Sequence, residues 1–124
     1  QRAEFLNEGG KFAIPGGFLD RDETIAEGAR RELLEETGYE CGDLTLLHIN
    51  SNPNRPGENR QNVSFIFTAT VGNQVSQPDN ESTSVEWFDI NRLPTADQMA
   101  FDHLLSIAIY LEYKAGKIQI PVME

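Results

Sequence analysis

Residues 17–39 read GFLDRDETIAEGARRELLEETGY, and the fold follows from how this stretch is read. Thr24 followed three residues later by Glu27 is the pattern of a capping box, which satisfies free amides at the start of a helix. Gly38 supplies the left-handed residue that commonly ends one, and no proline interrupts the span between. The stretch therefore predicts a helix over 24–37. Along it Glu32, Glu35 and Glu36 stand at i, i+3 and i+4, within roughly 100° of arc. Like charges at that spacing destabilise an isolated helix by roughly 0.2–0.5 kcal/mol per pair. Three of them together need either a cation or a fully solvated face. Ile25, Ala29 and Leu33 lie close by on the same cylinder, so the acidic edge runs beside the core and full solvation is unfavourable.

Hard carboxylate oxygens select Mg²⁺ or Mn²⁺, and Mg²⁺ is commonly shared between a few carboxylates and substrate phosphates. Arg31 follows Glu27 by four residues and precedes Glu35 by four, placing it to hold either carboxylate in position. Gly16-Gly17 ahead of the helix allows close approach of backbone to a ligand. Three glutamates alone are ordinarily a solvated face. The wider pattern is what changes the reading.

Gly17, Glu23, Arg31, Glu32, Leu33, Glu35, Glu36 and Gly38 fall in register with G-x5-E-x7-R-E-U-x-E-E-x-G-U, where U is a bulky apolar residue. The stretch thus resembles the Nudix box. Only Tyr39 departs, where an aliphatic residue is usual. Seven fixed residues at about 5–7% frequency each recur by chance in roughly one window per billion, so the resemblance is specific. It extends to FAIPGG at 12–17, similar to the strand and turn that lead into the box, and to VEWF at 85–88 with Leu93-Pro94 beyond. The resemblance implies an α+β chain, an α/β/α sandwich with a mixed sheet. It implies that Glu32, Glu35 and Glu36 bind Mg²⁺ (or Mn²⁺), that the backbone near Gly17 adds a ligand, and that Arg31 orients a glutamate.

Outward from the box, Lys11–Ile14 reads as a short strand, Leu44–Ile49 as a second and Val63–Val71, by its alternation, as the clearest. Residues 50–61 and 72–82 read as polar loops. Val85–Asp89 reads as a strand carrying Trp87, with Trp87, Phe65 and Phe67 assigned to the core. Thr95 is expected to cap a second helix running to about Ala115. The 124 residues read as one domain, 1–124. Gln1-Arg2 opens almost directly onto the first strand, whereas the family usually has a strand before it. The reading expects a chain truncated at its N-terminus, or else a partner, in a homodimer, that supplies the strand.

Composition narrows the partners. Ten Lys+Arg against twenty Asp+Glu leave a net charge of −10, a sign that repels nucleic-acid polymers. No apolar run is long enough for a membrane span, and no signal peptide opens the chain. One cysteine, Cys41, excludes an internal disulfide and suits the reduced cytoplasm.

The resemblance implies a Mg²⁺-dependent pyrophosphohydrolase acting on a small nucleotide substrate. Bound metal neutralises the diphosphate and acidifies a water, and a carboxylate takes the proton. The candidate bases are Glu32 and Glu81, the latter on a polar loop expected to be mobile. Pro53, fifteen residues after Gly38, and the AFDH run at 100–103 resemble ADP-ribose pyrophosphatase-like members. Cleavage of a nucleoside diphosphate linked to another moiety is thus favoured over nucleoside triphosphate cleavage of the MutT type. Arg55 and Arg60 are placed at the substrate phosphates, and His48 and His103 are expected to pack or cap. A non-catalytic ligand sensor would have little reason to keep every acidic position of the box, and an acidic interaction module would not explain Gly17 and Gly38.

Overall fold

The structure, a computed structural model, describes residues 1–124. Helix α1 spans Ile25–Thr37. The capping box is formed as the sequence predicts: the Glu27 amide donates to Thr24 Oγ1 at 3.2 Å, and the Thr24 amide donates to Glu27 Oε2 at 2.8 Å. Gly38 ends the helix at φ 78°, its amide reaching Leu34 O at 2.8 Å. A side chain there would collide with the Ser76 carbonyl, so both the backbone angle and the space demand glycine.

From that cap the chain turns directly into β1, Tyr39–Asn50. This strand is longer than the expected Leu44–Ile49. Gly42 and Asp43 look like turn formers, but register shifts between Tyr39 and Leu44 absorb them into the ladder. The Asp43 amide donates to Thr70 Oγ1 at 2.8 Å. β2, Ser64–Gln74, pairs antiparallel with β1 and extends three residues past the expected end. A two-residue strand that the sequence did not suggest, β3 (Val122–Met123), pairs parallel on the other side of β1. The sheet is mixed, in the order β2-β1-β3. Both helices pack against β1, which makes it the axis of an α+β fold.

Three expected elements come out differently. Lys11–Ile14 contributes only a bridge, Phe12 to Met99, with the Phe12 amide donating to Gln98 O at 2.9 Å and Ala100 N donating back to Phe12 O at 2.7 Å. That pairing also displaces the second helix. Residues 99–100 are held extended against Phe12, and Phe101 then takes a φ of 52°, so α2 begins at His103 and runs to Lys114. Thr95 instead closes a short turn, with Gln98 N donating to Thr95 O at 3.0 Å. Tertiary pairing has overridden helical periodicity here.

Val85–Asp89 joins no ladder, and Trp87 is 71% exposed, correcting its assignment to the core. Its indole packs edge-on against the Tyr39 ring, centroids 5.6 Å apart, while Phe88 meets Phe12 in the same way at 5.0 Å. Phe65 is also exposed and Phe67 half-buried. The buried apolar residues are Leu47, Ile109, Met99, Ala100 and Ala3.

Residues 1–3 lie between two other segments. Arg2 N donates to Lys11 O at 2.8 Å, and Ala3 N donates to Glu81 O at 2.9 Å. On that second side Arg2 bridges antiparallel to Ser82. The pairing fixes where residue 81 stands relative to the helix.

Candidate active site

A cleft of about 1540 Å³ opens between α1, α2, the sheet and the loops at 14–20 and 55–63. Its acidic end is built by α1. The stagger of the helix brings Glu32, Glu35 and Glu36 to one edge, as their spacing required, and the Gly16-Gly17 turn lies against Glu32 and Glu36. Gly16 N donates to Glu36 Oε2 at 3.1 Å. A Cβ at Gly17 would stand 2.6 Å from the Glu32 carboxyl carbon, so a side chain there would push this carboxylate from its present position.

Arg31 is the hub of the site. Its guanidinium donates to Glu23 at 2.7 and 3.0 Å, to Glu32 Oε1 at 2.9 Å, to Glu35 Oε2 at 3.2 Å and to Phe18 O at 3.1 Å. The Asp20 carboxylate also lies 3.2 Å away. Surrounded by carboxylates, Arg31 holds its proton more tightly than usual, and its hydrogen bonds hold Glu23 below the ordinary carboxylate range. Glu27, the other expected partner, is engaged in the capping box instead.

Glu36 escapes Arg31. Burial, together with the charges of Glu32, Asp79 and Glu81, pushes its carboxyl up to about 7, although the Gly16 amide pulls the other way. Burial also raises Glu32, with Glu35 and Glu81 adding to the effect and Arg31 opposing it. Four carboxylates from α1 and the 81 loop therefore share one field. Glu81 reaches this cluster because its backbone is tied to Ala3 and its amide to Asp79 Oδ1, at 3.0 Å. The loop expected to be mobile is thus anchored on two sides, while the Glu81 side chain stays exposed.

The donor set suits a hard divalent cation. It offers anionic oxygens with no soft ligand among them, raised carboxyl groups that a cation would relieve, and a glycine turn that keeps backbone close to Glu32. No three of these side chains converge on one point in this conformation, because Glu32 and Glu35 are turned toward Arg31.

The substrate-side residues divide. Arg60 stands over the Phe18 ring at 5.6 Å, facing the box loop across the cleft. Arg55, expected at substrate phosphates, is instead engaged in the fold. Its side chain is 8% exposed and grips Asp102 through Nε and Nη2 at 2.8 and 2.7 Å, with Nη1 on Ser64 Oγ at 2.6 Å. Asn50 adds a 2.7 Å bond to the same carboxylate. Burial alone would raise Asp102, but the bonds and charge of Arg55 hold it below its usual range.

The histidines pack as expected. His48 is fully buried between Ser106 Oγ at 3.1 Å and Glu124 Oε2 at 2.8 Å. His103 Nδ1 accepts the Ile14 amide at 3.2 Å. Sequence reasoning missed the Arg55–Asp102 pair, since nothing local links residues 47 apart, and it assigned His103 no role beyond packing.

Residues 1–107 match the NUDIX domain family, and the chain belongs to that family. The ADP-ribose pyrophosphatase of Methanocaldococcus jannaschii is 36% identical over 107 residues, covering 86% of this chain and 61% of that protein. The oxidized purine nucleoside triphosphate hydrolase of Danio rerio is 34% identical over 112 residues, covering 85% and 65%. The 8-oxo-dGDP phosphatase of the same fish is 32% identical over 109 residues, covering 85% and 31%. The chain spans less than two thirds of the length of each of these relatives. No helix is long and apolar enough to cross a membrane.

Proposed function

We propose that this chain is a divalent-metal-dependent pyrophosphohydrolase that cleaves a nucleoside diphosphate linked to a second moiety, ADP-ribose being the type of substrate. The observation that carries the reading is that Glu32, Glu36 and Glu81 border one wide cleft, with Glu32 and Glu36 against the Gly16-Gly17 turn and Glu35 beside them on the helix. Such a concentration of negative charge repels a diphosphate unless a cation stands between them. Glu32, Glu35 and Glu36, with backbone near Gly17, would hold Mg²⁺ or Mn²⁺. When bound, the ion neutralises phosphate charge and lowers the pKa of water.

The chain's own groups supply the rest. Arg31 holds Glu32 and Glu35 in place through its fixed fork of donors. Glu81 comes from outside the helix with its backbone anchored and its carboxylate exposed, and it takes the proton from the attacking water. Arg60 meets a substrate phosphate across the cleft from the box loop. The similarity to the Methanocaldococcus protein, together with Pro53 and the 100–103 run, supports an ADP-ribose-like substrate.

The similarity to the Danio triphosphate hydrolase supports the second reading, a nucleoside triphosphate. Chromatography of products formed with Mg²⁺ decides between them. The first reading expects AMP and ribose 5-phosphate from ADP-ribose. The second expects a monophosphate and inorganic pyrophosphate from a triphosphate. Efficient triphosphate cleavage with inert ADP-ribose refutes the first.

A further inference from the structure

Three arginines border the cleft as well. Arg55 is neutralised by Asp102 and Arg60 lies over Phe18, which leaves Arg2 as the cation near α2. Arg2 stands over the Phe101 ring at 5.1 Å, and the Phe101 ring lies 5.4 Å from that of His103. His103 borders the same cleft.

Its two ring nitrogens differ. Nδ1 accepts the Ile14 amide, and an amide nitrogen only donates, so Nδ1 carries no proton. The neutral ring must then carry its proton on Nε2. Burial, with Arg55 and Arg2 adding to it and Asp102 opposing, lowers His103 to about 4, so the ring is neutral at physiological pH. Nε2–H has no acceptor in the protein, and the residue borders the open cleft.

The position of this donor is tied to the glutamates. Ile14 N is bonded to His103, and Gly16 N, two residues on, is bonded to Glu36. Two residues of chain span at most about 7 Å. One short segment therefore sets the spacing between the carboxylate cluster and the imidazole, on the scale of a diphosphate and its adjoining sugar.

We infer that His103 is a substrate-binding residue whose Nε2–H donates to a phosphate oxygen at the end of the diphosphate away from the glutamates. This rests on the reading that the glutamate cluster engages the diphosphate. Arg2, two rings away across Phe101, favours an anion here, and Ile14 locks the tautomer that a phosphate oxygen requires. A donor fixed before substrate arrives loses little freedom on binding.

Two variants separate binding from structure. His103→Asn keeps an acceptor near the Ile14 amide but loses the Nε2 donor, and His103→Phe loses both. A hydrogen bond to a charged acceptor corresponds to a factor of about 10–100 in affinity. Both variants should raise KM for ADP-ribose, or for dGTP if that is the compound turned over, by about that factor, with kcat held within about threefold. In the metal-loaded wild type, ¹H–¹⁵N spectra of the ring should show the Nε2–H tautomer, and the Nε2 signal should move when AMP is added. A KM restored in His103→Asn would make the residue structural and overturn the inference. So would an Nδ1–H tautomer, or an Nε2 signal unmoved at saturating AMP. Neither compound being hydrolysed would refute the proposed function, while the AMP titration still decides the role of His103.

Discussion

In metal-free buffer, Glu36→Gln should make the protein more stable at pH 8 and leave it nearly unchanged at pH 4. The Glu36 carboxyl is pushed from an ordinary 4.5 up to about 7 by burial and by Glu32, Asp79 and Glu81. At 1.36 kcal/mol per pKa unit that difference is worth about 3 kcal/mol, and solvent access to the carboxylate reduces it to about 1.5 kcal/mol. The folded-state value is the raised one, so the unfolded chain ionises first. Below about pH 4.5 both states are protonated and nothing is lost. As pH climbs from there through 7, the native state of the wild type progressively gives up its share. Glutamine never ionises, and its carbonyl keeps an acceptor for the Gly16 amide. Urea unfolding followed by circular dichroism, in chelator, at both pH values reads the difference directly. Adding Mg²⁺ at pH 8 should reverse the order, because only the wild type gains full binding energy from the ion. If the variant is equal or weaker at pH 8 without metal, Glu36 does not sit in the crowded, part-buried field described above.

Glu36→Gln should also lower turnover by orders of magnitude in Mg²⁺, and full activity would remove the metal assignment. Glu81→Gln should lower kcat far more than it raises KM and leave Mn²⁺ affinity, read by titration, nearly intact. Wild-type kcat would return the base role to Glu32, and lost metal affinity would make Glu81 a ligand. Arg55→Ala strands a largely buried Asp102 and should cost about 3 kcal/mol in chemical denaturation, with Asp102→Asn costing less because amide groups keep some of the bonds. A variant as stable as wild type would free Arg55 for the substrate role. Gly38→Ala should cost about 1–2 kcal/mol in a thermal melt, since Ala there is strained at φ 78° and meets the Ser76 carbonyl.

The glutamate helix was legible almost to the residue. Its caps, its acidic edge and its arginine are all decided within fifteen positions, where local rules hold. The bonds between Arg31 and Glu35, four residues apart, follow from helical geometry alone. Glu81 was legible in type but not in setting. Its anchoring depends on pairing with residues 1–3, a contact between chain segments about eighty positions apart that leaves no local trace. The delayed start of α2 has the same cause: Thr95 does what a cap residue does, but Phe12 claims residues 99–100 for a bridge. Arg55 shows the reverse error. An arginine in a polar loop suggests a free cation, and only the fold brings Asp102 up to take it. Trp87, bulky and in a β-like run, lies outside the core because no strand pairs with its segment.

Arg31 is bonded to three carboxylates, those of Glu23, Glu32 and Glu35, and lies beside a fourth, Asp20. Its guanidinium is in effect a resident counterion, covalently tethered and unable to diffuse away. The acidic edge of the helix is thus neutralised in part by a side chain of the same helix. Under the proposed function, Glu32 and Glu35 would exchange this positive partner for a dication. Arg31 meanwhile stays fastened by Glu23 and the Phe18 carbonyl.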